Sequence, residues 1–261
     1  MIMVAKDSIE LHSQKIGSVA QNTARLLSIE VDAIVGEVVR YLSNFLVTSD
    51  GYVEQSGDNS KVLFGAVPAL EAAISHSSYS AVIVAFSQSM VDQVSEFKSM
   101  ADKMGIIGED DRELFDGDDF DLLSNYVASS MEMFDSHIRS VVQVFHRFLG
   151  KALGEIRLGD LTSGVIRIVR RLSEVEPILF DSAITFFRII GSLIYRKIEA
   201  RGKKLTYVYV GPEGKRPFCT SLVGRTFSLD EVVAMDNGQV PGVLENAGGY
   251  SCKHWWWAEV A

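Results

Sequence analysis

At 261 residues with a hydrophobic fraction of 47%, the chain is long enough for one large or two modest domains and supplies ample core, which excludes a disordered polypeptide. The formal charge of −9 is uneven: residues 1–200 carry 18 Lys/Arg against 28 Asp/Glu, whereas residues 201–261 carry 7 against 6. An acidic body repels phosphate backbones, so no specific nucleic acid is expected as a partner. Two cysteines cannot build a multi-bridge secreted framework, and Met1 to Lys6 lacks a signal-peptide pattern, so folding in a reducing cytoplasm is expected.

Only Pro68 and Pro177 lie before residue 200, which leaves long helices uninterrupted. Asp7 with Glu10 suggests a capping box. From there Ile16, Val19, Thr23, Leu26, Val31, Ile34, Val38, Tyr41 and Phe45 recur at three- and four-residue steps, predicting a helix from Ser8 to Val47. Asp50-Gly51 and Gly57-Asp58-Asn59-Ser60 read as turns, with Pro68 placed to open a second helical stretch running to Met104 and stopped by Gly105 and Gly108. The acidic run Glu109 to Asp121 does not match a calcium loop, because glycine stands second in Asp116-Gly117-Asp118-Asp119 and Val127 takes the twelfth place. It reads as a solvated loop.

A third helix is predicted from Phe120 to Leu149, then shorter ones at Leu161–Leu172 and Pro177–Ala200. The last of these is apolar nearly all round, but Asp181 and Arg188 interrupt it, and a membrane span wants about 20 nearly uninterrupted apolar residues. It is read as a buried helix, without stable membrane insertion. His12, His76, His137 and His146 are scattered, with no i,i+4 metal pair and no nucleophile motif beside them, and neither GxGxxG, a P-loop nor HExxH occurs. No catalytic residue is assigned, and the chain is not expected to be an enzyme.

Near Gly202 the pattern changes. Thr206 to Val210 is a strand on residue type, and 8 of the 21 glycines fall after residue 200. The fold class expected is mainly α, an elongated helical bundle over residues 1–201 followed by a small α+β module over residues 202–261. Truncation at Gly202 is expected to leave a soluble helical fragment. Within the module Ser228 with Glu231 can cap a short helix, Gly248-Gly249 allows a reversal, and Cys252-Lys253-His254 returns after it. A unit of about sixty residues needs a staple or a neighbour. Three readings of Cys219, Cys252 and His254 stand open: ligands of a structural zinc, a Cys219–Cys252 disulfide with a free histidine, or two buried thiols and a surface histidine. Trp255-Trp256-Trp257, alternating faces in a strand, should leave at least one indole visible to a partner.

At these residues the tail resembles the C-terminal module of tailed-phage minor head proteins, the Mu F-like head morphogenesis family. That pattern runs through a strand, an arginine-bearing turn, Cys-x-x-Cys, a Leu-x-Gly-Lys-x-Phe stretch and a closing His-x-x-Cys-x-Cys. Here Arg216 stands where the first cysteine lies and Cys219 fills the second. Leu222-Val223-Gly224-Arg225-Thr226-Phe227 fits the middle stretch, Gly249 replaces the histidine, Cys252 matches, and His254 takes the last cysteine's place. The resemblance spans roughly the final sixty residues.

It implies a virion protein of low copy number, assembled in the host cytoplasm. Such a protein is associated with portal or capsid proteins and with sister copies and acts in head assembly or genome delivery. No cofactor is expected, apart from the structural zinc that the reading of Cys219, Cys252 and His254 leaves open. The partner-binding residues expected are Arg216, Phe218, Phe227, Tyr250, Trp255, Trp256 and Trp257. Two rival readings are an ejected internal protein acting on the host envelope through Pro177–Tyr195, and a metal-dependent nuclease or toxin-like module using Cys219, Cys252 and His254.

Overall fold

Helix α1, Ile2–Leu42, opens the chain, and from residue 14 its buried positions can be followed: Ile16, Ala20, Thr23, Leu27, Val31, Ile34, Val38 and Leu42. This is the expected three-and-four spacing, with two differences. Leu27, not Leu26, faces inward, and Leu42, not Tyr41, closes the stripe. The computed structural model describes residues 2–103, 105–107, 115–153, 155–212 and 215–261, with backbone alone for residues 2–13. The Asp7/Glu10 capping box, the helix stop at Met104 and Gly108, most of the acidic run from Glu109, and the end of the Gly211-Gly214 turn lie outside the described side chains.

The predicted stretch to Met104 is two helices, α2 (Gly57–His76) and α3 (Tyr79–Lys103). The expected turn at residues 57–60 is instead the first turn of α2, and Pro68 sits inside the helix. The cause is local. The Ser56 hydroxyl accepts from the Asn59 amide at 3.1 Å as N-cap, while the buried Asn59 side chain accepts from Leu46 N and donates to the Leu46 and Glu54 carbonyls at 2.7 and 2.9 Å. That asparagine satisfies the incoming loop, so the helix starts there, eleven residues before the proline. Helices α4 (Gly117–Leu149), α5 (Leu158–Arg170) and α6 (Glu176–Ala200) follow where the periodicity put them, within a few residues.

The C-terminal region holds β1 (Leu205–Val210), α7 (Pro217–Leu222), β2 (Thr226–Phe227), α8 (Leu229–Ala234), α9 (Val243–Asn246) and β3 (Trp255–Val260). Strand β1 is central, antiparallel to both neighbours in the order β2-β1-β3, with Tyr209 opposite Trp256 and Tyr207 opposite Phe227. The architecture is mainly α with a small antiparallel sheet near the C-terminus.

The chain divides into two compact units, Met1–Ala20 with Ser87–Ser130 and Pro177–Ala261, and Gln21–Phe86 with Met131–Glu176. The boundary expected at residue 202 falls inside the first unit. There Trp255 meets Phe187 of α6 edge-on at 5.8 Å, and Trp257 lies 5.9 Å from Phe97 of α3 and 6.4 Å from Tyr195 of α6. The sheet therefore shares a core with those helices.

Helix α6 has no exposed apolar stripe: Leu179, Phe186, Phe187, Ile190, Ile194 and Ile198 are all buried. The Leu158–Ala200 stretch is long and apolar enough to cross a membrane by length and composition, but 67% of its apolar window is covered by protein. Part of the acidic run is also not solvated. Asp119, at the start of α4, is buried and pairs with Lys197, which also reaches Asp116 at 2.6 Å. The Lys197 ammonium bonded to Asp116 holds that carboxyl below its ordinary value.

In the second unit the buried core holds Leu27, Val31, Ile34 and Val38 of α1, Ala66, Leu70 and Ala73 of α2, Phe86 of α3, Phe134, Val141 and Phe145 of α4, and Leu161 and Val165 of α5. Phe86 and Phe134 meet edge-on at 6.1 Å, and the buried Tyr79 hydroxyl donates to the Leu172 carbonyl at 2.8 Å.

Candidate functional site

Three separate segments bring Cys219, Cys252 and His254 together. Proline at the first position of α7 starts that short helix and places Cys219 on its inward face. The Gly248-Gly249 reversal turns the chain back so that Cys252 and His254 arrive just before β3, two residues apart. Among the described residues these three form the group whose ligand atoms converge, all within 4.8 Å of one another, and all three residues are buried.

The sulfurs are 3.7 Å apart and unbonded, so the disulfide reading does not describe this state. Nor is His254 a surface residue. It is 3% exposed, with Nδ1 3.5 Å from the Cys252 sulfur, Nε2 buried without a hydrogen-bond partner, and its ring stacked on Tyr209 at 5.2 Å and 3°. The Tyr209 hydroxyl lies 3.5 Å from the Cys219 sulfur and 3.6 Å from that of Cys252.

Backbone completes the cradle. The amides of Gly248 and His254 both donate to the Cys252 sulfur, at 3.3 and 3.4 Å. A Cβ added to Gly248 would lie 2.4 Å from the Cys219 sulfur and 2.9 Å from that of Cys252, so only glycine leaves room for both. On the α6 side, buried Arg188 donates from Nε to the His254 carbonyl at 2.8 Å and from Nη2 to the Cys252 carbonyl at 2.5 Å, holding the Cys-x-His turn.

The two thiols differ electrostatically. Burial pushes the Cys219 thiol above its ordinary value. Burial opposes ionisation of Cys252 too, but the hydrogen bonds from the His254 ring and amide and the nearby Arg188 charge outweigh it, holding this thiol at about 6. Burial in turn lowers the Arg188 guanidinium from its usual value.

The remaining expected residues separate into framework and surface. Trp255, Trp256 and Trp257 do alternate along β3, yet none is visible: they are 2%, 3% and 0% exposed. The reason is that both faces are covered, Trp255 and Trp257 by α3 and α6, Trp256 by Tyr209, Phe227 and the Val243 carbonyl, to which its Nε1 donates at 2.9 Å. They are core, and none of them forms the exposed indole that alternation suggested. Arg216 is half-buried, donating to the Gly248 carbonyl at 2.8 Å and so clasping the reversal. Phe218 and Phe227 are half-buried, edge-on to Tyr209 and Trp256. Only Tyr250 stands out, 70% exposed, beside exposed Val223 and Val233 elsewhere on the module.

Sequence reasoning missed Arg188 and Tyr209 as parts of this cluster. The signal for Arg188 was present, since a lone arginine inside an otherwise apolar helix must find acceptors. For Tyr209 there was none beyond its alternation in β1. No protein family matches the chain, and no curated protein and no solved structure is similar to it.

Proposed function

We propose that this chain is a structural protein of a tailed-phage particle, associated with the portal or capsid and with sister copies, which acts in head assembly or genome delivery by protein–protein binding. The observation that carries the reading is the construction of the C-terminal module. The segments that bear the resemblance, Arg216 to Phe227 and Gly248 to His254, fold onto one another around a buried Cys/Cys/His knot, and they leave Tyr250 outward on a tightly held reversal. An exposed aromatic side chain on a well-braced turn suits recognition of a partner polypeptide. Exposed apolar side chains on the helices, including Ile29 of α1 and Phe64 of α2 at 56% and 80%, suit burial between chains.

The test is mass spectrometry of purified particles from a producing host. The chain is expected in intact particles at low copy number, and a Tyr250→Asp variant that folds normally is expected to be depleted from them. Absence of the unaltered chain from intact particles, or turnover of a substrate by the purified protein, overturns the reading.

A further inference from the structure

We propose that Cys219, Cys252 and His254 Nδ1 are the three protein ligands of one zinc ion, with the Tyr209 hydroxyl bonded to their sulfurs from outside the coordination sphere. This rests on the geometry of the first unit and is independent of what the module binds. A tetrahedral site with Zn–S near ~2.3 Å and Zn–N near ~2.0–2.1 Å places two sulfurs about 3.8 Å apart and a sulfur and a nitrogen about 3.6 Å apart. The corresponding separations here are 3.7 Å between the sulfurs and 3.5 Å from Cys252 Sγ to His254 Nδ1, and the Tyr209 hydroxyl lies 3.5 and 3.6 Å from the two sulfurs. Two edges of one tetrahedron are thus already set by a fold that brings the three ligands from α7 and the loop before β3.

Chemistry and surroundings agree. Two thiolates and an imidazole select zinc or a similar soft-tolerant divalent ion over calcium or magnesium. The Gly248 and His254 amides already point at the Cys252 sulfur, as outer partners of a bound thiolate do. Two thiolates balance a divalent ion, and buried Arg188 holds the turn that carries two of the ligands by bonding the Cys252 and His254 carbonyls.

The test uses the full chain, reduced and purified without chelators. About one zinc per chain is expected by elemental analysis. After its removal, titration with cobalt(II) is expected to saturate at one equivalent, with a thiolate-to-cobalt band in the near ultraviolet and intense tetrahedral visible absorption. A wild-type protein that shows neither band overturns the site, as does a weak octahedral spectrum. Cys219→Ser and His254→Ala are expected to weaken cobalt affinity at least tenfold; undiminished affinity in both also overturns it. Tyr209→Phe is expected to keep both the thiolate band and the visible bands while weakening cobalt affinity by about tenfold, as loss of an outer hydrogen bond does; undiminished affinity, or shifted visible bands, overturns the outer role given to Tyr209.

Discussion

Arg188 shows how one residue can hold a site it does not belong to. Its guanidinium reaches from α6 to the carbonyls on either side of Lys253, so the Cys-x-His turn depends on a side chain 64 and 66 residues away in the chain. Replacement by methionine keeps much of the volume and removes both charge-assisted bonds, each worth roughly 1.5–3 kcal/mol, while relieving the cost of burying a charge. The net expected is a loss of about 2 kcal/mol in urea unfolding, with Arg188→Lys intermediate because one ammonium cannot span both carbonyls as a fork does. No loss in Arg188→Met would show that the turn holds itself. At Gly248 the argument is steric. A methyl 2.4 Å from the Cys219 sulfur must displace α7 or the reversal, so Gly248→Ala is expected to cost about 1–3 kcal/mol by the same measurement.

At the scale of elements, α8 is the clearest case of structure written locally. Ser228 accepts from the Glu231 amide, and Glu231 accepts in return from the Ser228 amide at 2.7 Å, the reciprocal box that the Ser-x-x-Glu spacing implies. Ser228→Ala is expected to cost about 1 kcal/mol. The hydrogen bonds from Ser228 lower the Glu231 carboxyl below its ordinary 4.5. A depressed carboxyl stabilises above its unfolded value and loses that contribution as pH falls through the folded value, so the penalty of Glu231→Ala, which removes the acceptor of the Ser228 amide, is expected to shrink as pH falls below 4.5. A penalty that is constant between pH 7 and pH 3 would contradict the box. The helices were legible for the same reason, because a stripe at three and four steps is a local signal. The start of α2 was not, since Gly57-Asp58-Asn59-Ser60 is turn-rich by composition and only the Asn59 bonds to Leu46 and Glu54, made on folding, turn it into a helix N-terminus. The Cys219, Cys252 and His254 set was visible as residues. Tyr209, whose hydroxyl meets both sulfurs, was not, because nothing in strand alternation says which helix or loop will cover a given face.

For the whole molecule the decisive element is β3. Without it β1 keeps only the two-residue β2 as a partner, and so small a pairing is marginal in water. Its loss also strips the aromatic contacts of Phe97, Phe187 and Tyr195. Removing one buried tryptophan costs about 3–5 kcal/mol, and three exceed much of the roughly 5–15 kcal/mol that holds a domain together. Deletion of residues 255–261 is therefore expected to abolish cooperative unfolding of the first unit, raise dye binding to exposed apolar surface, and make both cysteines react with a thiol reagent at native pH, where the intact chain protects them. Val260→Lys serves as the control, since Val260 is 47% exposed at the end of the strand and its change is expected to stay within about 0.5 kcal/mol. A deleted chain that unfolds at the native urea midpoint with its thiols still protected would mean that α3 and α6 close their own core, and that the sheet is an appendage rather than part of it.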